Sequence, residues 1–210
     1  MRRQLLERVR AARVYAITPE SEPDQVELLV HAWLRGGASV IQLRHKQLPR
    51  GRLLELACTL ARACSRANAL FIVNDYLDVA LLSGADGVHL GPDDLSVAAA
   101  RRVAGANVIV GASASTPKAA CHAERDGADY LGSGPAYPTQ LKTDKQVIGP
   151  AGVAAVTVAV AIPVFAIGGI ERSRLSELRA AGVERVCAIS ALGQAPDPEA
   201  EVRAWLHELG

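Results

Sequence analysis

Aromatic residues are scarce: Phe, Tyr and Trp together make up 4% of the 210 residues. Stacking platforms for single-stranded nucleic acid are therefore poorly supplied. An excess of either charge is also missing. Lys and Arg number 23 against 22 Asp and Glu, for a formal net charge of +1. That balance gives no general attraction for nucleic acid or an acidic membrane surface. Cysteine is limited to Cys58, Cys64, Cys121 and Cys187, without CxxC spacing or metal-type clustering. The four read as small buried hydrophobes of a reducing, cytoplasmic compartment. No secretory signal is expected, because residues Met1–Arg13 are basic and apolar at helical spacing and contain no apolar central stretch. One uncharged run, Ala151–Ile170, reaches the length of a bilayer span, about 20 residues. Pro163 interrupts it and Gly168–Gly169 end it, so it reads as helix, turn and buried strand rather than a membrane segment.

What the chain does have is apolar substance, 50% of its residues, enough for one substantial core. Its organising stretch is Leu70–Asp94, LFIVNDYLDVALLSGADGVHLGPDD. Apolar runs at Leu70–Val73 and Val88–Leu90 flank a helical pattern closed by Gly84, which is the strand–helix–strand unit of a parallel pair. The same alternation recurs along the chain. Strands are expected at Arg13–Thr18, Ser39–Leu43, Asn107–Gly111, Asp129–Leu131, Val164–Ile167 and Arg185–Ile189. Helices are expected at Asp24–Arg35, Arg52–Ala67, Leu95–Val103, Pro117–Asp126, Pro150–Val160, Arg172–Ala181 and Glu199–Leu209. The helix-to-strand joints GGAS, SGADG, AGAN, DGADY and AGVER share a small-residue pattern, as each helix needs a stop before the chain turns back into the sheet. An open doubly wound sheet would place G-x-G-x-x-G after its first strand, and none follows Arg13–Thr18. With no composition break or linker, residues 1–210 read as one α/β domain, a (β/α)8 TIM barrel.

In such a barrel the C-terminal ends of the strands meet at one mouth. The second strand delivers Gln42, Arg44 and Lys46 there, alternate residues that can share the inward side. Asn74 and Asp75 end the third strand, and Asp93 and Asp94 follow the fourth. Neighbouring strands lie about 4.8 Å apart, so Asp75 and Asp94 can project into one crevice. Alone, each acidic exit is an ordinary helix cap; together they offer hard oxygen ligands for Mg²⁺ carrying a phosphate. The fifth strand gives Ser113, and the sixth leads to Thr139, Lys142 and Lys145. Gly168–Gly169 and Ile189–Ser190 end the last two strands, where barrels commonly bind phosphate through backbone N–H groups and a helix N-terminus. Two anion sites at one mouth suit the joining of two phosphorylated molecules. No Ser-His-Asp set is legible. His89 reads as a wall histidine, and His45 alternates with Arg44 and Lys46 and points away from the mouth. Missing a base, the chemistry is expected to run on a leaving group and electrostatics.

The ordered motifs QLRHK, NDYLDVALLSGADGVHLGPDD, GAS, DYLGSGPAYPTQLKTD, AIGGI and AISAL resemble the thiamine phosphate synthase family over nearly the whole chain. The resemblance implies a (β/α)8 transferase of thiamine biosynthesis. Such an enzyme joins 4-amino-5-hydroxymethyl-2-methylpyrimidine diphosphate to hydroxyethylthiazole phosphate, with Mg²⁺ as cofactor and diphosphate leaving first. Carried over by position, Gln42, Arg44, Lys46, Asn74, Ser113 and Lys142 contact the pyrimidine diphosphate, and Asp75 and Asp94 bind the metal. Thr139, Leu141, Gly169, Ile189 and Ser190 form the thiazole phosphate pocket. The implied partners are small phosphorylated molecules, with neither nucleic acid nor membrane, and a homo-oligomer is compatible with the pattern. Two alternatives stand beside this reading. Thiazole tautomerases share the barrel but tend to lose the acidic pair and carry a histidine where Pro135 stands here. A non-catalytic regulator that binds thiamine precursors would not need the full metal and anion set.

One position departs from the family pattern Pro-Thr-x-Thr-Lys: Pro138–Lys142 reads PTQLK, with Leu141 in place of the second threonine. A hydroxyl hydrogen bond to a charged phosphate contributes roughly 1.5–3 kcal/mol, or about 10- to 150-fold in affinity. Leu141→Thr should therefore lower KM for the thiazole phosphate and leave that for the pyrimidine diphosphate nearly unchanged. An unchanged thiazole KM would show that this hydroxyl has no role here.

Overall fold

Short runs rich in Val, Ile and Leu, each closed by a polar or glycine turn, become strands buried on both faces. The computed structural model describes residues 2–139 and 146–210. Strands β1 (Val14–Ile17), β2 (Val40–Leu43), β3 (Leu70–Asn74) and β4 (Gly87–Leu90) come first. They are followed by β5 (Ile109–Ser113), β6 (Tyr130–Ser133), β7 (Val164–Ala166) and β8 (Val186–Ala188). All pair in parallel and in sequence order, and β8 returns to β1 through Val14↔Val186, so the described strands close into a barrel. Around them run α1 (Arg2–Ala11), α2 (Pro23–Arg35), α3 (Arg50–Arg66), α4 (Leu77–Ser83), α5 (Val97–Ala104) and α6 (Pro117–Arg125). The ring is completed by α7 (Gly149–Ala159), α8 (Leu175–Ala180), α9 (Ser190–Gly193) and α10 (Pro198–Leu209). The expected (β/α)8 architecture is present. The uncharged Ala151–Ile170 run falls on α7 and β7, and no described helix is long and apolar enough to cross a membrane.

Alternation along each strand divides the core in two. Outward residues such as Ile41, Phe71, Val110 and Val186 pack under the helices with Trp33 and Trp205. Inward residues Tyr15, Val40, Leu70, Ile72, Ile109, Tyr130, Phe165 and Cys187 fill the barrel. The Tyr15, Tyr130 and Phe165 rings meet edge to face with centroids 5.4–5.8 Å apart, a geometry that aligns ring edges with ring faces. Leu5, Val9 and Ala12 of α1 join this interior cluster and close the barrel end opposite the mouth. The recurrent GAD joints have a shared purpose there. Asp86 Oδ2 accepts from Phe71 N at 2.9 Å, and Asp129 Oδ2 accepts from Val110 N at 2.9 Å. Each carboxylate thus satisfies the second amide of a neighbouring strand. Asp129 also pairs with Arg2 (2.7 Å) and Arg101 (2.6 Å), tying α1 and α5 to the barrel.

Two local expectations are corrected. The fifth strand starts at Ile109 rather than Asn107, because Gly105, at φ 70°, ends α5 in a turn and Ile109 N is the first amide to bond Asp86 O. Ser113 consequently lies on β5 itself. The continuous helix expected at Arg172–Ala181 is a 3-10 turn, Arg172–Arg174, followed by the short α8. The four-residue α9 was not legible as a helix.

Gly111 of β5 lies beneath the Tyr130 ring, where a Cβ would overlap that ring. Gly111→Ala should cost about 1–3 kcal/mol through overpacking, or roughly 2–12 °C in Tm for a chain of this size. An unchanged Tm would show that the interior can give way there.

Candidate active site

The acidic side of the mouth is built by β3 and β4. Asn74 ends β3 opposite His89, and Asp75 N continues the ladder by donating to His89 O at 2.8 Å. Asp75 then adopts φ 64°, a left-handed conformation that Asp tolerates better than most residues. Asp94 is oriented by its own loop, Oδ2 accepting from Gly91 N at 2.7 Å. Burial pushes the Asp75 carboxyl above its ordinary range, and Asp94 beside it adds to that rise. Lys46 Nζ, 3.2 Å from Asp75 Oδ2, opposes it.

Facing carboxylates favour a cation between them. Among the described residues no group of three or more His, Cys, Asp or Glu could cage a metal. A pair of hard oxygens without a cage fits Mg²⁺, which is commonly held by one or two carboxylates together with substrate phosphates and water. It does not suit zinc, which takes three or four protein ligands.

The alternating set on and after β2 does turn inward, but to three different depths. Gln42 is buried inside the barrel and donates to the Tyr15 hydroxyl at 2.7 Å. Lys46 reaches the acidic pair. Arg44, expected to wait for an anion, has a protein partner: Nη1 lies 2.8 Å from Glu20 Oε1, while its backbone N donates to Thr18 Oγ1 at 2.9 Å. Glu20 lies in the loop that follows β1 and was not foreseen. His45 is engaged by its own loop and the loop after β1. Its Nδ1 accepts from Gln47 N and Leu48 N, and Nε2 meets Ser21 O, so it organises the loop.

The opposite side of the mouth is a cavity of about 810 Å³. Thr139, Gly169, Ile189 and Ser190 line it together, as does Ser113. Its rim is stitched by the exits of β6 and β7: Ala136 N donates to Ile167 O (2.8 Å) and Tyr137 N to Gly168 O (3.0 Å). Gly169, at φ 62°, sits so close to Pro138 O and Tyr137 that a side chain has no room. Arg174 Nη1 takes the Gly169 carbonyl at 2.8 Å, and its guanidinium stacks 4.4 Å from the Tyr137 ring centroid. The helix N-terminus expected after Gly168–Gly169 is the 3-10 turn Arg172–Arg174. Backbone amides, rather than a long helix dipole, are what this turn offers an anion.

Ser113 connects the two sides. It lines the large cavity and also an adjoining hollow of about 520 Å³ that takes in Asp94. Behind it stands a residue that sequence reasoning left in the wall. His89 Nε2 is 3.1 Å from Ser113 Oγ, and its Nδ1 is 3.2 Å from the Tyr130 hydroxyl. The alternation of GVHL, which turns His89 to the same side as Asn74 on the next strand, was the available signal. Leu141, Lys142 and Lys145 lie outside the described residues.

Comparisons with known proteins converge on one family. The family model for thiamine monophosphate synthase matches residues 14–192. A thiamine-phosphate synthase of Gloeobacter violaceus is 43% identical over 201 residues, which cover 96% of this chain and 58% of that protein. The chain thus spans little more than half the length of that relative. A thiamine-phosphate synthase of Haloquadratum walsbyi is 44% identical over 196 residues, covering 91% of this chain and 88% of its own. In three dimensions, thiamine phosphate pyrophosphorylase from Pyrococcus furiosus superposes with a TM-score of 0.87 at 36% identity, covering 98% of this chain and 97% of that one. By these matches the chain belongs to the thiamine monophosphate synthase family.

Proposed function

We propose that the chain is a thiamine phosphate synthase. It would join 4-amino-5-hydroxymethyl-2-methylpyrimidine diphosphate to hydroxyethylthiazole phosphate, with release of diphosphate. The observation that carries this reading is the Asp75–Asp94 pair, with Lys46 beside Asp75, across the mouth from a cavity roomy enough for a second phosphorylated molecule and joined to it through the hollow that Asp94 and Ser113 line. The names of the relatives point the same way.

In this reading Asp75 and Asp94 would hold Mg²⁺, which would supply positive charge to a bound diphosphate. Lys46 and Arg44 add their own charge, Arg44 by turning its guanidinium fork from Glu20 toward phosphate. Asn74, Gln42 and Ser113 orient the pyrimidine half, with Lys142 assigned there by resemblance. Thr139, Ser190 and the Gly169 and Ile189 backbone hold the thiazole phosphate, with Leu141 assigned there by resemblance. The methylene C–O bond breaks with both electrons leaving on diphosphate. The pyrimidine ring delocalises the positive charge left behind, and the thiazole nitrogen lone pair then forms the C–N bond. No proton is removed in either step. That accords with a site rich in charge and poor in bases.

The direct assay mixes both phosphorylated substrates with Mg²⁺ and follows thiamine phosphate and diphosphate in equal amounts. Absence of both products, with isomerisation of a thiazole carboxylate phosphate instead, would move the chain to the tautomerases. Within the synthase reading, Asp94→Asn should lower kcat by at least about 10²-fold, the scale of several kcal/mol of metal-assisted charge stabilisation. In calorimetry the same variant should bind the pyrimidine diphosphate equally well with and without Mg²⁺. Normal turnover, or retained Mg²⁺ enhancement of binding, would remove Asp94 from the metal site.

A further inference from the structure

The barrel interior carries a continuous polar chain from Gln42 to Ser113 whose middle members, Tyr15, Tyr130 and His89, have no role in the proposed steps. Gln42 Nε2 donates to Tyr15 Oη at 2.7 Å, and Tyr15 Oη meets Tyr130 Oη at 2.9 Å. Tyr130 Oη meets His89 Nδ1 at 3.2 Å, and His89 Nε2 meets Ser113 Oγ at 3.1 Å. Both tyrosines are buried at the level of the aromatic trio. Burial raises both hydroxyls well above their ordinary range, so each keeps its proton.

The chain has a direction, set at one end by chemistry. An amide nitrogen only donates. Tyr15 therefore accepts from Gln42 and has its own proton to give to Tyr130. Tyr130, having accepted, gives its proton to His89 Nδ1. A neutral imidazole carries one proton, and with Nδ1 accepting, that proton sits on Nε2. Nε2–H then donates to Ser113 Oγ, which directs the Ser113 hydroxyl proton away from the wall and into the cavity.

We infer that His89 is a positioning residue: the chain Gln42–Tyr15–Tyr130–His89 fixes the Nε2–H tautomer and so holds the Ser113 hydroxyl as a hydrogen-bond donor toward the cavity. A donor is what an anionic substrate needs; with the opposite tautomer, Ser113 would spend its proton on Nε2 and present lone pairs to phosphate. The inference rests on the synthase reading only for the identity of the anion. The direction of the chain does not depend on it.

Two measurements on the full chain test this. The first needs no substrate. In protein labelled with ¹⁵N-histidine, at about pH 8, above the ordinary histidine range, the His89 ring should show the Nε2–H tautomer. Its signals are assigned by their loss in His89→Gln. An Nδ1–H tautomer overturns the inference whatever the protein catalyses. The second is a double-mutant cycle on kcat. His89→Asn should lower kcat roughly 10- to 150-fold, the range for a hydrogen bond to a charged group. His89→Gln, whose amide reaches the Nε2 position, should recover most of that loss. In a Ser113→Ala background His89→Asn should have almost no further effect, because it acts through Ser113. Fully additive losses, or equal losses for Asn and Gln, overturn the positioning role. If the chain forms no thiamine phosphate at all while the tautomer is as expected, the synthase reading fails and the directed chain stands.

Discussion

Two neighbouring carboxylates, Asp75 and Asp94, are the constraint around which the mouth of this barrel is arranged. Asp75 cannot move aside, because its amide extends the β3–β4 ladder through His89 O and its backbone sits at φ 64°. Asp94 is held by the Gly91 amide. Burial and the neighbouring Asp94 both push the Asp75 carboxyl upward, and Lys46 offsets only part of that because it is half exposed. The remaining demand for positive charge is the reason this corner is proposed to take a cation and its phosphate cargo. Stability is supplied elsewhere, by the two-layered core and by the Asp129 ion pairs at the opposite end.

The same separation shapes the barrel interior. Toward α1 it is apolar and aromatic; toward the mouth it becomes polar through Gln42, Asn74, His89 and Ser113. Gly111 and Gly132 make room on that gradient, Gly111 under the Tyr130 ring and Gly132 against His89. The small residues of β5 and β6 thus allow large polar side chains to stand inside a closed barrel and reach its cavity. Packing and chemistry are supported by the same alternation of side chains.

Much of this was legible in the sequence because it follows from period and position. Strand runs, glycine stops and recurring GAD joints imply the barrel, and a parallel barrel brings every strand exit to one end. Asp75 with Asp94, and Thr139, Gly169, Ile189 and Ser190 around one cavity, follow from that placement. Contacts between residues distant in the chain were not legible. Arg44 reads as a cation awaiting a substrate anion until Glu20 is seen beside it, and Gln42 reads as a substrate contact at the mouth until Tyr15 is found beside it. His89 could be assigned to the wall, but its link to Ser113 depends on ring orientation, which alternation does not specify. The helix expected from Arg172 illustrates another limit: helical spacing was present, yet the first turn is 3-10 and holds the Gly169 carbonyl through Arg174.

In the proposed function, the chemistry that would unite these features is charge-driven departure of a leaving group. It is tested most directly by single-turnover rates with a pyrimidine diphosphate whose 2-methyl group is replaced by trifluoromethyl. If the diphosphate leaves before the thiazole nitrogen attacks, the electron-withdrawing group destabilises the pyrimidine cation, and the rate should fall by orders of magnitude with binding little changed. A rate equal to that of the natural substrate would contradict a cationic intermediate and indicate direct displacement.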